Sequence, residues 1–213
     1  MLFLDELPEF MRNALEVLRQ PLEERKVTIS RSKITVDFPA NFMMIASMNP
    51  CPCGYYNHPT KPCMCQPGAV QKYINRISGP LLDRIDIHVQ VTPVSFDVIS
   101  SKKPSECSKI IRERVEKARE IQLKRFREKN ISNIYTNAMM NSNMVKYICK
   151  ISEEATSMLK NAIEKLGLSS RAYSKILKVS RTIADLENSE DIKDYHIAEA
   201  IRYRSLDRNS FKS

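Results

Sequence analysis

The sequence predicts an α/β chain: a parallel sheet with a β-hairpin insert over residues 1–95, then an all-helical domain over 96–213. Three observations carry this. Leu2-Phe3-Leu4 and the run from Phe42 to Met48 are continuously apolar, as strands of a parallel sheet are when helices cover both faces. Between them, residues 26–38 alternate apolar and polar side chains around a polar Ser30-Arg31-Ser32-Lys33 centre, the pattern of a hairpin with a basic tip. From about 141 to 204 the chain carries one helix start or stop after another.

Composition sets the bounds. The 213 residues are long enough to bury a core, and 42% hydrophobic with 28% charged residues is ordinary for a globular protein. The net charge of +9 favours a polyanionic partner such as nucleic acid. No apolar run approaches the roughly 20 residues needed to span a bilayer, and no basic leader with a cleavage site opens the chain, so a cytoplasmic protein is expected with no membrane partner. In that compartment thiols stay reduced, and four of the six cysteines fall between 51 and 65, which argues for metal before disulfides.

The first expected strand ends on two adjacent carboxylates, Asp5 and Glu6, at the end of the sheet where α/β folds place ligands. Nucleoside triphosphatases use such a pair, one acid for phosphate-bound Mg²⁺ and one to orient the attacking water. Asp5 is assigned the metal and Glu6 the water; the plain alternative is a solvated strand end. A helix is expected from Pro8, with Phe10, Ala14, Leu15 and Leu18 as its apolar face and Pro21 as its stop. On the hairpin tip, Arg31 and Lys33 are either phosphate contacts or solubilising turn residues. The second apolar strand ends on Asn49-Pro50; an amide there can bond a γ-phosphate or water without adding charge, or merely start the turn.

Cys51, Cys53, Cys63 and Cys65 form two C-x-C pairs in a loop rich in proline, with too little apolar surface to order itself. Four thiolates suit tetrahedral Zn²⁺, with His58 as a substitute ligand and a loop of reduced cysteines as the alternative. Ile85, Ile87, Val89 and Val91 alternate, predicting a strand with Arg84 just before it, placed to project from the sheet edge or to make a surface ion pair. Residues 95–104 read as a linker and 105–129 as a basic, solvated helix. Ser152 opens a helix closed by Gly167, Ser169 or Ser170 opens the next, and Asp194 the last. Arg171 falls in the first turn of the middle helix, where a cation opposes the helix dipole unless an anion is near.

Laid out in order, several phrases carry a resemblance: Leu2-Phe-Leu-Asp-Glu-Leu-Pro-Glu-Phe, Leu15-Glu-Val-Leu-Arg-Gln-Pro-Leu-Glu, Val27-Thr-Ile-Ser-Arg, Met48-Asn-Pro-Cys-Pro-Cys-Gly, Ile77-Ser-Gly-Pro-Leu-Leu-Asp-Arg-Ile-Asp, and Leu168-Ser-Ser-Arg-Ala-Tyr through Arg181-Thr-Ile-Ala-Asp-Leu186. The chain resembles the magnesium-chelatase-like group of AAA+ ATPases, and within it the bacterial competence protein ComM family. The resemblance implies a partial AAA+ P-loop ATPase core followed by a helical lid. Asp5 and Glu6 match Walker B, Asn49 sensor 1, Arg84 the arginine finger acting on a neighbouring subunit, and Arg171 the sensor-2 arginine. It implies ATP and Mg²⁺ as cofactors, a possible structural Zn²⁺ on the four cysteines, and self-association into a hexameric ring. It also implies DNA, single-stranded or branched, as the partner of the 26–38 hairpin.

One departure is large. No G-x-x-x-x-G-K-[ST] loop occurs in the chain, which has only four glycines. The expectation is therefore a fragment of a longer ATPase, with little ATP binding or hydrolysis of its own and with an exposed sheet edge and patch of core. The rival expectations are a magnesium chelatase-type motor subunit and a non-catalytic, zinc-stapled nucleic-acid-binding module.

Overall fold

In a computed structural model, residues 1–204 other than Lys33, Ser95 and 101–104 are described. The chain divides into two compact units, Met1–Ile85 with Val91–Pro93, and Asp86–Gln90 with the residues from Val94 onward.

The first unit is built on two short parallel strands, β1 (Leu2–Leu4) and β4 (Met44–Ala46), in the register Leu2↔Met44, Phe3↔Ile45 and Leu4↔Ala46. The sheet is buried on one side only. Leu4 packs with Leu7, Leu15, Ile77 and Leu81, whereas Phe3 is 58% and Ile45 41% exposed, which corrects the expectation of strands buried on both faces. Between these strands come α1 (Arg12–Val17), α2 (Arg19–Glu24), β2 (Lys26–Arg31) and β3 (Ile34–Pro39). Pro21 does not stop a helix: it sits in the first turn of α2, where no intrahelical N–H donor is needed, and the helix ends instead on Arg25 in a left-handed conformation.

β2 and β3 pair antiparallel, Ile29 opposite Val36 and Thr28 opposite Asp37. Asp37 accepts hydrogen bonds from Lys26 Nζ at 2.7 Å and Thr28 Oγ1 at 2.6 Å, which saturates the polar face. The opposite face exposes Ile29, Ile34, Val36 and Phe38. The helices α3 (Ala69–Ile74) and α4 (Gly79–Leu82) complete the unit, the second capped by Ser78, whose side chain accepts from Leu81 N–H.

The strand expected over 85–91 is absent among the described residues. Asp86–Gln90 is tied to the helical unit instead: Asp86 pairs with Lys175 Nζ, and His88 N–H donates to the Tyr203 carbonyl at 2.8 Å. The alternation that suggested a strand leaves Ile87, Val89 and Val91 exposed.

The helical unit comprises α5 (Phe96–Ile99), α6 (Ser108–Glu128), α7 (Ser142–Ile148), α8 (Glu153–Leu166), α9 (Ser170–Leu186) and α10 (Asp194–Arg202). Local chemistry sets its boundaries. Ser152 Oγ accepts from Ala155 N–H, Ser169 Oγ from Ala172 N–H, and Asn141 Oδ1 from Met144 N–H. Gly167 ends α8 at φ 61, a conformation that costs glycine nothing. The cap of α10 is Lys193 rather than Asp194, and His196 reaches back so that Nδ1 accepts the Lys193 N–H at 2.9 Å. Phe126, Val145, Leu159, Ile176, Leu177 and Ile197 fill the core.

A charged network is set into that core. Asp185, fully buried, accepts from both terminal nitrogens of Arg125, from Arg181 Nε at 3.1 Å and from Asn137 Nδ2 at 2.7 Å. Arg181, itself buried, spends its other nitrogens on the Glu190 and Ser189 carbonyls at 2.7 and 2.6 Å. Burial holds the Arg181 guanidinium below its usual range despite the opposing pull of Asp185. Replacing Asp185 by Ala leaves the buried Arg181 and the half-buried Arg125 without their shared anion. The chain should lose about 3–5 kcal/mol of stability, read as a fall in the urea midpoint, while exposed Glu154→Ala should stay within about 0.5 kcal/mol of the parent.

Candidate acidic site and metal centre

The parallel register brings the two expected strand ends to the same end of the sheet. Asp5 and Glu6 follow β1 directly, and Asn49 emerges three residues beyond the last residue of β4. Ser47 joins them. Its N–H donates to the Leu4 carbonyl at 2.9 Å, its carbonyl accepts from Leu7 N–H at 2.9 Å, and its hydroxyl donates to Asp5 Oδ1. Asp5 Oδ1 also accepts from Glu6 N–H at 3.1 Å. Among the described residues no donor reaches Asp5 Oδ2, the Glu6 carboxylate or the Asn49 side-chain amide, and all three residues are exposed.

Glu6 has φ 51 and ψ 49, a left-handed conformation that is strained for a residue with a Cβ. Nothing in the sequence announces it. Beside the acids lies buried Tyr73, whose hydroxyl is pushed up by burial and by the Glu9 and Glu6 carboxylates, with the Asn49 backbone N–H pulling the other way. The residues around Tyr73 carry no motif in the sequence; it is the α3 helix (Ala69–Ile74) that brings its ring beside the acids.

Arg84 differs from expectation in its surroundings. It follows α4 in a turn rather than preceding a strand, and its guanidinium folds back into its own unit. Nε donates to the Arg19 carbonyl at 3.1 Å, one terminal nitrogen to the Pro80 carbonyl at 2.7 Å, and the other to Glu23. The side chain is 9% exposed. Arg171 lies exposed in the first turn of α9, in the helical unit. Arg31 is exposed at the end of β2, and Lys33 lies outside the described residues.

The cysteine loop converges. The sulfurs of Cys51, Cys53, Cys63 and Cys65 all lie within 4.8 Å of one another, with separations of 3.4 Å between Cys51 and Cys53, 3.8 Å between Cys51 and Cys63, and 3.6 Å between Cys53 and Cys63. A tetrahedral Zn²⁺ with Zn–S of about 2.3 Å requires S–S edges of about 3.8 Å, whereas a disulfide would bring a pair to about 2.0 Å. The donor set therefore fits one tetrahedral thiolate-bound metal, and the spacing is not that of disulfides. Backbone N–H groups already face the sulfurs, Tyr56 N–H donating to Cys51 Sγ at 3.3 Å. The Tyr55 N–H, helped by Met64 N–H and the neighbouring thiols, draws the Cys53 thiol down to about 6. Cys65 receives a lowering bond from the Cys53 N–H, yet burial and the adjoining sulfurs push it up to about 12. His58 is not part of the cluster: its Nδ1 accepts from the Thr60 and Lys61 N–H groups at 3.2 and 3.1 Å, closing its own turn.

Family models for magnesium chelatase match the chain nearly end to end: subunit ChlI over residues 1–99, and the ChlI C-terminal region over 105–204. The chain belongs to the magnesium chelatase ChlI family. Within it, the chain is 43% identical over 208 residues to Competence protein ComM of Haemophilus influenzae and 41% identical over 211 residues to YifB, an uncharacterized protein of Escherichia coli. It is 32% identical over 205 residues to the uncharacterized protein Rv2897c of Mycobacterium tuberculosis. These alignments cover 95–97% of the chain but only 39% of each relative's length. The two matched regions meet between 99 and 105, inside the segment read as a linker. No helix among the described residues is long and apolar enough to cross a membrane.

The thiolate cluster makes a direct prediction. Chain purified without chelators should carry one equivalent of zinc by elemental analysis. Its removal should release four readily titrated thiols and unfold the 51–65 loop, seen as rapid amide exchange there with the helical unit unchanged. Metal-free protein whose loop exchanges as slowly as before would remove the metal from the structure.

Proposed function

We propose that these residues belong to a Mg²⁺-dependent, ring-forming AAA+ ATPase that couples ATP hydrolysis to remodelling of, or movement along, DNA. The observation that supports it best is the acidic end of the sheet. Asp5 Oδ2, the Glu6 carboxylate and the Asn49 amide have no hydrogen-bond partner among the described residues, and they issue from one end of adjacent parallel strands. Uncommitted acids at that end of an α/β sheet suit a phosphate-bound cation.

In this reading Asp5 holds Mg²⁺, which neutralises charge on the phosphates. Glu6, held in its left-handed backbone conformation, orients the attacking water. Asn49 bonds the γ-phosphate or the water. Arg84 and Arg171 supply positive charge in the transition state, the first across a subunit interface and the second from a helical lid. Arg84 must then exchange Glu23 for phosphate, so its present ion pair acts as a latch on the finger. The phosphate-cradling loop of this reading comes from residues other than these 213. The basic tip at Arg31 and Lys33 and the net charge of +9 favour DNA as the partner. The Cys51, Cys53, Cys63 and Cys65 cluster holds a structural Zn²⁺ next to the strand that carries Asn49.

A second reading has one observation in its favour: both matched family models are named for magnesium chelatase, so the same core would drive Mg²⁺ into a porphyrin. Hydrolysis stimulated by DNA supports the first reading; hydrolysis indifferent to DNA supports the second.

In the full-length protein, Glu6→Gln should keep ATP binding and lower kcat at least about 100-fold; undiminished turnover removes Glu6 from the role. Arg84→Ala should leave nucleotide affinity within a few-fold while lowering kcat, and mixing it with Glu6→Gln subunits should restore part of the turnover if the arginine serves its neighbour. Failure of such mixed rings to recover would place Arg84 in a purely structural role with Glu23.

A further inference from the structure

The geometry points to Ser47 as the positioning residue of the acidic site: it orients Asp5 so that one carboxylate oxygen is fixed and the other is presented to a divalent cation. This inference rests on the proposed reading of Asp5 as a metal ligand.

Ser47 engages the end of β1 with all of its polar groups. Just past the last paired residues of the ladder, its N–H donates to the Leu4 carbonyl and its carbonyl accepts from Leu7 N–H, so it brackets the Asp5–Glu6 dipeptide from both sides. The bracket spans four residues with two bonds of 2.9 Å, and the chain between them is forced into a bend that puts Glu6 in its left-handed conformation. The hydroxyl then adds what the backbone alone does not: a bond to Asp5 Oδ1. With Glu6 N–H on the same oxygen, Oδ1 has two donors and Oδ2 has none among the described residues. A carboxylate fixed in this way offers one oxygen to a cation, and outer hydrogen bonds of this kind typically tune metal affinity or activity by about 10–100-fold. Any residue but proline at position 47 keeps the backbone bracket, whereas the third bond needs a side-chain donor, which the Ser47 hydroxyl supplies. The sequence carried one signal, a serine inside an otherwise apolar strand run, which is a costly place for a hydroxyl without a partner.

The test uses Mn²⁺ as the probe on the 213-residue chain, reading paramagnetic broadening of the Asp5, Glu6 and Leu7 amide resonances. Wild type and Ser47→Thr should broaden over the same Mn²⁺ range, and Ser47→Ala should need about 10-fold more or greater. Asp5→Asn sets the level at which no site remains, and unchanged Leu2 and Leu4 amide shifts show that the β1–β4 pairing persists in each variant. If Ser47→Ala does not fold, Ser47→Cys, similar in size with a weak donor, takes its place. Broadening of Ser47→Ala at the wild-type concentration overturns the inference, as does a wild type whose Asp5 and Glu6 amides never respond to Mn²⁺. In the full-length protein, Ser47→Ala should raise the Mg²⁺ concentration for half-maximal hydrolysis more than it lowers kcat at saturating Mg²⁺, and Ser47→Thr should restore both. A full-length wild type without ATPase activity would refute the proposed function, while the Mn²⁺ titration still decides the role of Ser47.

Discussion

The pairing of β1 with β4 is the constraint on which the acidic site depends. Parallel strands cannot be neighbours through a tight turn, so the chain must leave the sheet after Leu4 and return at Met44, with two helices and a hairpin in between. Parallel register sends both strands out of the sheet in the same direction. That is why two acids at positions 5 and 6 and an amide at 49 meet at one end, although more than forty residues of sequence separate them. A one-residue slip would turn Phe3 toward the core in place of Leu4. The Leu4, Leu7, Leu15 and Leu81 cluster, together with the Ser47 bracket, selects against it.

The helical unit is specified by a different interaction. Apolar packing of Phe126, Leu159, Ile176 and Ile197 is non-directional and would tolerate several arrangements of α6 against α9. The buried Asp185 does not. It demands Arg125 from α6, Arg181 one turn away on α9 and the Asn137 amide together, and any sliding of α6 along α9 leaves at least one charge without its partner. Desolvating three charged groups is costly, and a hydrophobic replacement of the whole set would be no less stable by itself. What the network contributes is registry: it converts a permissive helix contact into a single one.

Legibility from sequence followed the range of the determining interaction. Helix termini were readable because Ser152, Ser169 and Gly167 act on atoms within a turn of themselves. The hairpin and both parallel strands were readable from side-chain periodicity and apolar runs. Pro21 was misread because proline stops a helix only when it is interior, and the start of α2 at Arg19 is decided by a break after Val17 that no local residue marks. The expected strand at 85–91 failed for a longer-range reason. Its alternation is real, but Asp86 and His88 find partners on Lys175 and Tyr203, and a strand without a neighbouring strand has nowhere to place its own amides. Asp5, Glu6, Asn49 and the four cysteines could be named from residue type. The Ser47 hydroxyl bond, the left-handed Glu6 and the internal pairing of Arg84 could not, since each depends on a residue brought close only by the fold.

The cysteine loop shows how composition alone can force a chemical solution. Ordering the fifteen residues from Cys51 to Cys65 costs on the order of 1–2 kcal/mol each. Against this the loop buries Cys51 and little else, and it has neither a helix nor a strand to repay the cost through backbone pairing. The Tyr55 ring, with His58 edge-on at 5.6 Å and Lys61 at 5.1 Å, contributes at most about 1–2 kcal/mol. A tetrathiolate metal contributes about 10–16 kcal/mol in small zinc domains, an interaction of the size this loop lacks among its described contacts. The four sulfurs already lie within 4.8 Å of one another, and the three separations among Cys51, Cys53 and Cys63, 3.4–3.8 Å, are close to the edge length of the required tetrahedron. One ion held by the four sulfurs would order the loop and, through Cys51 two residues downstream, would also help fix the direction in which Asn49 leaves β4, so the placement of that amide is coupled to the chemistry of the cysteine cluster.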